Sequence, residues 1–302
     1  IPRGQVDDCG IAMKTASGDE VKVCVAAIRD GEISVKGFEP DLVVSNNDFS
    51  EFYAEWGPEL KNPMNPPREL GWYQRKKSNY FEFFNQLCTE VANVIDIDPW
   101  VLTVRTELFE HFDMTDQSSR ERLAEIVNRV QLDTLAKYKQ FNIDQKPFVF
   151  VKNNSGTYGL GVLRVQNPEE VLNITYKSRK KMKAAKGGRD VEEVIVQEGI
   201  PSSVRSEGVT AEPTIYLLGC RLAGGFLRSH SEKDETESLN SPGAVYKRLC
   251  VTDLRVDVEG HPLENVYGWV AKIGLLAIGL EAQKMNVQFK GYSGPVCSSI
   301  QK

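Results

Sequence analysis

The segment FVKNNSGTYGLGVLRV (150–165) limits what this chain can fold into more than any other stretch. Apolar, β-prone residues flank a loop that holds Gly156, Gly159 and Gly161 together with Ser155 and Thr157. The pattern predicts strand, glycine loop, strand. Glycine reaches positive φ without steric cost and lets backbone N–H groups approach an anion closely. The neighbouring residues exclude three glycine-rich phosphate loops. A Walker loop requires Gly-Lys-Ser/Thr leading into a helix, and no such triplet occurs in the sequence. A dinucleotide fold requires strand, GxGxxG and helix; both the spacing and the following element differ. A protein kinase places its lysine after the loop and carries HRD and DFG. Here Lys152 precedes the loop and both triplets are missing. What remains is a hairpin whose lysine ends the first strand. On these residues alone it is either an ordinary flexible turn or a flap over phosphate.

The rest of the chain alternates strands and helices. VKVCVAAI (21–28) and DLVVSNND (41–48) have the β-branched character of buried strands, with DGE (30–32) as a turn. Pro58, Pro63, Pro66 and Pro67 then forbid helix or central strand. In RKKSNYFEFFNQLCTEVANVI (75–95), Tyr80, Phe83, Phe84, Leu87, Val91 and Ile95 recur at helical spacing, with Ser78 or Asn79 as the expected cap. DPWVLTVR (98–105) reads as a strand. SSRERLAEIVNRVQLDTLAKY (118–138) gathers Leu123, Ile126, Val127, Val130 and Leu135 on one helical face. Strands are expected at 146–152, 161–166 and 191–200, on both sides of the Gly219–Cys220 turn, and near 244–258. A helix opens at 168–173 and a final one covers about 263–284. This order predicts an α/β (α+β) protein.

At 302 residues the chain can hold two or three lobes, and 41% hydrophobic with 26% charged residues is ordinary for a globular protein. A net charge of −5 argues against a dedicated nucleic-acid binder, so no nucleic-acid partner is expected. The longest apolar stretch, IGLLAIGL (273–280), is shorter than the ~20 residues of a membrane helix, so no membrane partner is expected. His111, His230 and His261 are too far apart for an HExxH pair. Cys9, Cys24, Cys88, Cys220, Cys250 and Cys297 form no CxxC and read as reduced thiols of a cytoplasmic protein. The chain opens at Ile1 without a signal-peptide pattern, which suggests a fragment or a processed product.

Three further segments carry chemistry. VIVQEGI (194–200) is an apolar strand that ends in Gln197, Glu198 and Gly199. Such an end can offer backbone groups to an adenine edge and a carboxylate to amine or ribose groups, though many strands end this way. KSRKKMKAAKGGR (177–189) carries seven Lys/Arg residues and is either a solvated helix face or a guide for phosphates. GGFLRSHSEKDETESLNSPG (224–243) holds Arg228, His230, Asp234, Glu235 and Asn240. A cation, carboxylates and an amide oxygen suit Mg²⁺–ATP, because Mg²⁺ takes oxygen ligands; the alternative is a solvated loop. His230 reads as a hydrogen-bonding residue rather than a ligand.

Taken in order, these segments resemble the ATP-grasp ligases, and more narrowly the proteobacterial-type glutamate–cysteine ligase family. The resemblance rests on SNNDFS (45–50), GWYQRKKSNYF (71–81), IDPWVL (97–102), FVKNNSGTYGLGV (150–162) and SRKKMKAAKGG (178–188). It continues through VIVQEGI (194–200), AEPTIYLL (211–218), GGFLRSH (224–230) and LNSPG (239–243). It implies an ATP-grasp fold that holds nucleotide between two α+β lobes, preceded by a partial Rossmann-like N-terminal region. The implied divisions are 1–70 for that region, 71–144 for the first part of the core, 145–200 for the lid lobe, 201–290 for the C-terminal lobe and 291–302 for the tail.

The resemblance also implies roles. Lys152 would contact ATP phosphates, under a loop running through Ser155, Gly156, Thr157, Gly159 and Gly161. Gln197, Glu198 and Gly199 would line the adenine, and Arg75, Lys76 or Lys77 would supply an early cation. Arg228 would stabilise the transferring phosphoryl group, with a structural ion pair to Glu232, Asp234 or Glu235 as the alternative. Glu212 and Asn240 would bind Mg²⁺. The implied substrates are glutamate, cysteine and ATP. The glutamate side chain would attack the γ-phosphate to form an acyl phosphate, which the cysteine amine would then displace. This is the first step of glutathione biosynthesis. The Glu-x-Asn metal pair of many ATP-grasp enzymes is missing after the last helix, and the family carries additional N-terminal sequence. Two alternatives therefore stay open: a ligase for another acid and amine, or a nucleotide-binding homologue without ligase activity.

Overall fold

The computed structural model describes residues 10–15, 17–24, 26–35, 38–45, 60–71, 74–155, 161–175 and 191–287. The chain divides into two units, Ile1–Gly71 with Val287–Lys302, and Trp72–Asn286.

In the first unit, β1 (Ile11–Lys14) and β2 (Glu20–Val23) form an antiparallel hairpin. A second hairpin joins β3 (Ala27–Arg29) to β4 (Glu32–Ser34). Its two-residue turn, Asp30-Gly31, has φ of 49° and 80°. Positive φ at both positions matches the right-handed strand twist, and Asp-Gly tolerates it. The continuous strand expected at 21–28 is thus two strands from different hairpins. β5 (Val43–Val44) pairs in parallel with β6 (Met64–Asn65). Asn62 ties the region together: its Oδ1 accepts from Ile33 N–H and its Nδ2 donates to the Pro40 carbonyl at 3.1 Å. The described residues of this unit hold no α-helix, only a 3₁₀ turn at Arg68–Leu70. The helical crossovers of a Rossmann-like half are therefore not among them.

The second unit opens with α1 (Lys77–Val94). The chain then makes a 3₁₀ turn at Pro99–Val101 where a strand was expected. Asp98 causes this: its side chain accepts from Trp100 N–H at 2.9 Å, and Pro99 is already set for the first helical position. β7 (Thr106–Glu110) follows, then α2 (Gln117–Gln140), capped by Asp116 accepting from Ser119 N–H at 2.8 Å. β8 (Val149–Asn153), β9 (Val162–Val165), the short α3 (Glu169–Leu172) and β10 (Glu193–Glu198) complete the first sheet, in the order β7-β10-β8-β9, antiparallel throughout.

Strand alternation assigns each residue of this sheet to a face. Val149, Val151, Val165, Val194 and Val196 turn inward onto Leu123, Val127 and Val130 of α2, with Val171 of α3. The other face carries Thr106, Phe150, Lys152, Arg164, Ile195 and Gln197, as the pairings Lys152–Ile195, Phe150–Gln197 and Gln197–Thr106 show.

The second sheet contains β11 (Arg205–Ser206), β12 (Val209–Leu218), β13 (Arg221–Ser229) and β14 (Val245–Leu249), again antiparallel in sequence order. A hairpin of β15 (Arg255–Val258) and β16 (His261–Glu264) leads into α4 (Val266–Lys284). Asn265 caps α4 by accepting from Tyr267 N–H at 3.1 Å. α4 packs on α1 through Ile273 and Ala277 against Phe84 and Cys88. No helix among the described residues is long and apolar enough to cross a membrane. Cys24, Cys88 and Cys250 are free thiols, whereas Cys220 is disulfide-bonded, which corrects the expectation of reduced thiols at that position. Sequence spacing could not show this, because bonding depends on the approach of the two Cα atoms in the fold.

Candidate active site

Lys152, one residue before the end of β8, lies on the face of the first sheet that α2 leaves uncovered. Its Nζ donates to Gln197 Oε1 at 2.6 Å, and Gln197 Nε2 donates to Thr106 Oγ1 at 2.9 Å. The ammonium also lies 5.1 Å from the centroid of the Phe150 ring. Burial lowers the Lys152 pKa to about 8, opposed by the nearby Glu212 carboxylate. Lys77, in the first turn of α1, is also lowered to about 8, first by burial and then by the Lys152 charge. Its Nζ donates to the Asn153 carbonyl at 2.8 Å. Two elements far apart in sequence thus bring two half-buried ammonium groups together.

The second sheet brings a carboxylate close enough to act on the Lys152 charge. Glu212 on β12 stands across from Arg228 on β13. Both Arg228 Nε and Nη2 reach the same Glu212 oxygen, Oε1, at 2.6 and 2.5 Å. The ion pair expected with Glu232, Asp234 or Glu235 is therefore made with Glu212. Those loop acids serve elsewhere: Glu235 pairs with Arg205 at 3.2 Å, and Asp234 with Arg164 at 3.5 Å. His230 is buried; its Nδ1 accepts from Glu232 N–H at 3.2 Å, so Nε2 donates to the Pro242 carbonyl at 3.0 Å.

The other expected site residues are placed differently. Lys76 pairs with Glu193 at 2.7 Å and is half exposed. Ser155 is exposed and its N–H donates to Asn153 Oδ1 at 3.0 Å. Gly161 has φ of 66°, and its carbonyl accepts from Asn153 N–H at 3.1 Å. Gly156, Thr157 and Gly159, like the basic stretch near 177–189, lie outside the described residues.

Glu198 does not sit with Gln197, because neighbours on a strand face opposite ways. It is buried on the α2 side, where its carboxylate accepts from Arg105 N–H at 2.7 Å and Trp100 Nε1 at 3.1 Å. It lines a separate cleft of about 640 Å³ with Trp100, Thr134 and Lys137. Gly199 donates its N–H to the Phe148 carbonyl at 2.8 Å, and a Cβ there would lie 2.1 Å from the Phe148 ring. Close packing accounts for this glycine. No hydrogen bond joins Asn240 to Glu212 among the described residues, nor is any group of three or more His, Cys, Asp or Glu gathered to hold a metal.

Thr106, Glu193 and Asn154 also belong to this site, and local pattern gives none of them a role there. Asn154 is fully buried beside the two lysines. Its only local signal is a polar pair, Asn153-Asn154, wedged between a strand and a glycine loop.

Comparison with known proteins places the chain among mixed α/β, ATP-dependent ligases. The family model for GshA, glutamate-cysteine ligase, matches residues 7–282, and the chain belongs to this family. Among solved structures, a protein from Methylobacillus flagellatus KT with the provisional name gamma-glutamylcysteine synthetase is 30% identical, with a TM-score of 0.81. That match covers 93% of this chain and 68% of the other. A comparison with curated proteins finds no match.

Proposed function

We propose that this chain joins glutamate to cysteine through a γ-glutamyl phosphate, with ATP held between its two antiparallel sheets in the ATP-grasp manner. The observation that carries this reading is the charge balance of the site. Lys152 and Arg228 share one carboxylate, Glu212, and the Lys77 ammonium lies beside Lys152. Two of these cations are held at a pKa of about 8 by burial, so the site is short of negative charge. An anion as dense as a polyphosphate relieves both. Gln197 and Phe150 extend the same face with an amide and an aromatic ring, a surface suited to a nucleobase.

In this reading the lysines bind and orient phosphate oxygens. Arg228 holds charge that develops as the γ-phosphoryl group passes to the glutamate side chain, and its rigid fork is preorganised by Glu212. The amine of cysteine then displaces phosphate to give γ-glutamylcysteine. Glu212 uses only Oε1 on Arg228, which leaves Oε2 as a donor toward a divalent ion. One carboxylate plus phosphate oxygens and water suits Mg²⁺. When bound, that ion would neutralise phosphate charge.

The test is trapping. With glutamate, ATP and hydroxylamine but no cysteine, the protein should release ADP and form γ-glutamyl hydroxamate. ADP release that needs a different acid would redirect the substrate assignment; none with any acid would reject the ligase mechanism for this chain.

A further inference from the structure

Asn154 is fully buried directly after β8, and all of its polar groups are engaged. Its carbonyl accepts from Lys77 N–H and its Oδ1 from Ser78 N–H, both at 2.9 Å. Its Nδ2 donates to Ser78 Oγ at 3.0 Å and to Glu193 Oε2 at 2.9 Å. Its own N–H donates to the Glu193 carbonyl at 3.1 Å. Helix α1 has no side-chain cap from its own N-cap residue, Lys76, and neither Ser78 nor Asn79 provides one. The helix is capped instead by a residue 76 positions later in the chain.

An ordinary cap is local and stabilises only its own helix. This one ties three elements at one point: the end of β8, two residues after Lys152; the first turn of α1, which carries Lys77; and the start of β10 at Glu193. Lys77 Nζ adds a further bond to the Asn153 carbonyl at 2.8 Å. Two like charges confined together repel, so their spacing must be imposed by the backbone that carries them. We propose that Asn154 is a positioning residue that fastens α1 to the end of β8 and so sets the separation of Lys77 and Lys152 for a polyphosphate ligand. The inference rests on the anion-site reading above and extends it to a residue that touches no ligand.

The test compares full-length wild type with Asn154→Ala, Asn154→Asp, Glu193→Gln and the double variant Asn154→Asp/Glu193→Gln. ADP affinity is read by calorimetry, kcat and the KM for ATP by turnover, and folding by thermal melting. Asn154→Asp keeps an acceptor for Ser78 N–H but sets two carboxylates against each other. Asn154→Ala and Asn154→Asp should each weaken ADP binding about tenfold and lower kcat/KM for ATP by up to about 10²-fold, since small misplacements of binding groups act on this scale. Glu193→Gln alone should be mild. The double variant reverses donor and acceptor between the two positions and should recover most of the affinity. Variants that melt earlier, yet bind ADP and turn over like wild type while still folded, overturn the proposal and leave Asn154 a structural cap. Should Asn154→Ala not fold, Asn154→Asp and the double variant decide it, and absence of recovery in the double overturns it. If wild type itself binds no ADP, the anion-site reading falls and this inference with it. If wild type binds and the Asn154 variants bind equally, this inference alone falls.

Discussion

Replacing Lys152 with methionine should weaken nucleotide binding without destabilising the fold. The Lys152 pKa is about 8 instead of 10.5 because burial disfavours the charge. A shift of that size withholds roughly 3 kcal/mol of stability. Below about pH 8 the folded and unfolded chains both carry the proton, and the penalty is fully present. Between about pH 8 and 10.5 the unfolded chain binds more protons, so this group's contribution to stability rises with pH. Methionine keeps an apolar stem and removes the charge. It also leaves Gln197 Oε1 without the donor now 2.6 Å away. An unsatisfied buried acceptor costs about 1–3 kcal/mol. Lys77 is relieved as well, since the Lys152 charge is one of the two causes that lower it. The balance at neutral pH lies between no change and a gain of about 2 kcal/mol, which for a unit of this size raises Tm by up to about 8 °C. Nucleotide affinity moves the other way. A charge-assisted hydrogen bond contributes about 1.5–3 kcal/mol, so the Kd for ADP should rise on the order of 10- to 100-fold. Calorimetric titration with ADP and thermal melts from about pH 6 to about pH 10 measure both, and the rise in stability above about pH 8 should be smaller in the variant. A variant that melts well below wild type at neutral pH and binds ADP with wild-type affinity would refute the reasoning, leaving Lys152 a structural donor to Gln197.

Three further substitutions separate site from scaffold. Arg228→Lys should leave ADP affinity nearly unchanged but lower kcat about 10²-fold, because a lysine cannot reproduce the planar fork where charge develops; a large drop in Tm with near-normal turnover would instead make the Glu212 pair purely structural. Glu198→Gln should lower stability by about 1–3 kcal/mol by misaligning the bonds from Arg105 N–H and Trp100 Nε1, and its Kd for ADP should stay at the wild-type value; weakened binding in a normally stable variant would put Glu198 in the nucleotide site. Gly199→Ala should cost about 1–3 kcal/mol through overpacking against Phe148, seen as a lower urea midpoint, and an unchanged midpoint would contradict the close contact.

The parts of the fold that were legible are those governed by local periodicity. α1 and α2 follow from apolar residues at helical spacing, and β8 and β9 from β-branched runs around a glycine loop, because each pattern reports a single backbone geometry. Asp98 shows how a local signal can be present and still be misjudged. Its side chain and Pro99 start a 3₁₀ turn, and they outweigh the strand character of Trp100, Val101 and Leu102. In VIVQEGI, Gln197 and Glu198 were expected to line one site together, whereas strand alternation makes them point apart. Which of them meets Lys152 depends on which face α2 covers, and no residue of that heptapeptide states it.

Local pattern alone puts a lysine at the close of a strand before a glycine-rich segment, and an arginine between an apolar strand and a polar loop. These depend on neighbours within a few residues. Long-range packing is what pairs Arg228 with Glu212 instead of the acids that follow it, sets Lys77 beside Lys152, and lets Asn154 cap a helix begun far earlier in the chain. Each of these contacts needs two segments brought together by burial of separate apolar faces. The energy that brings them together resides in the valines and leucines of the cores, while the chemistry resides in the polar residues carried along with them.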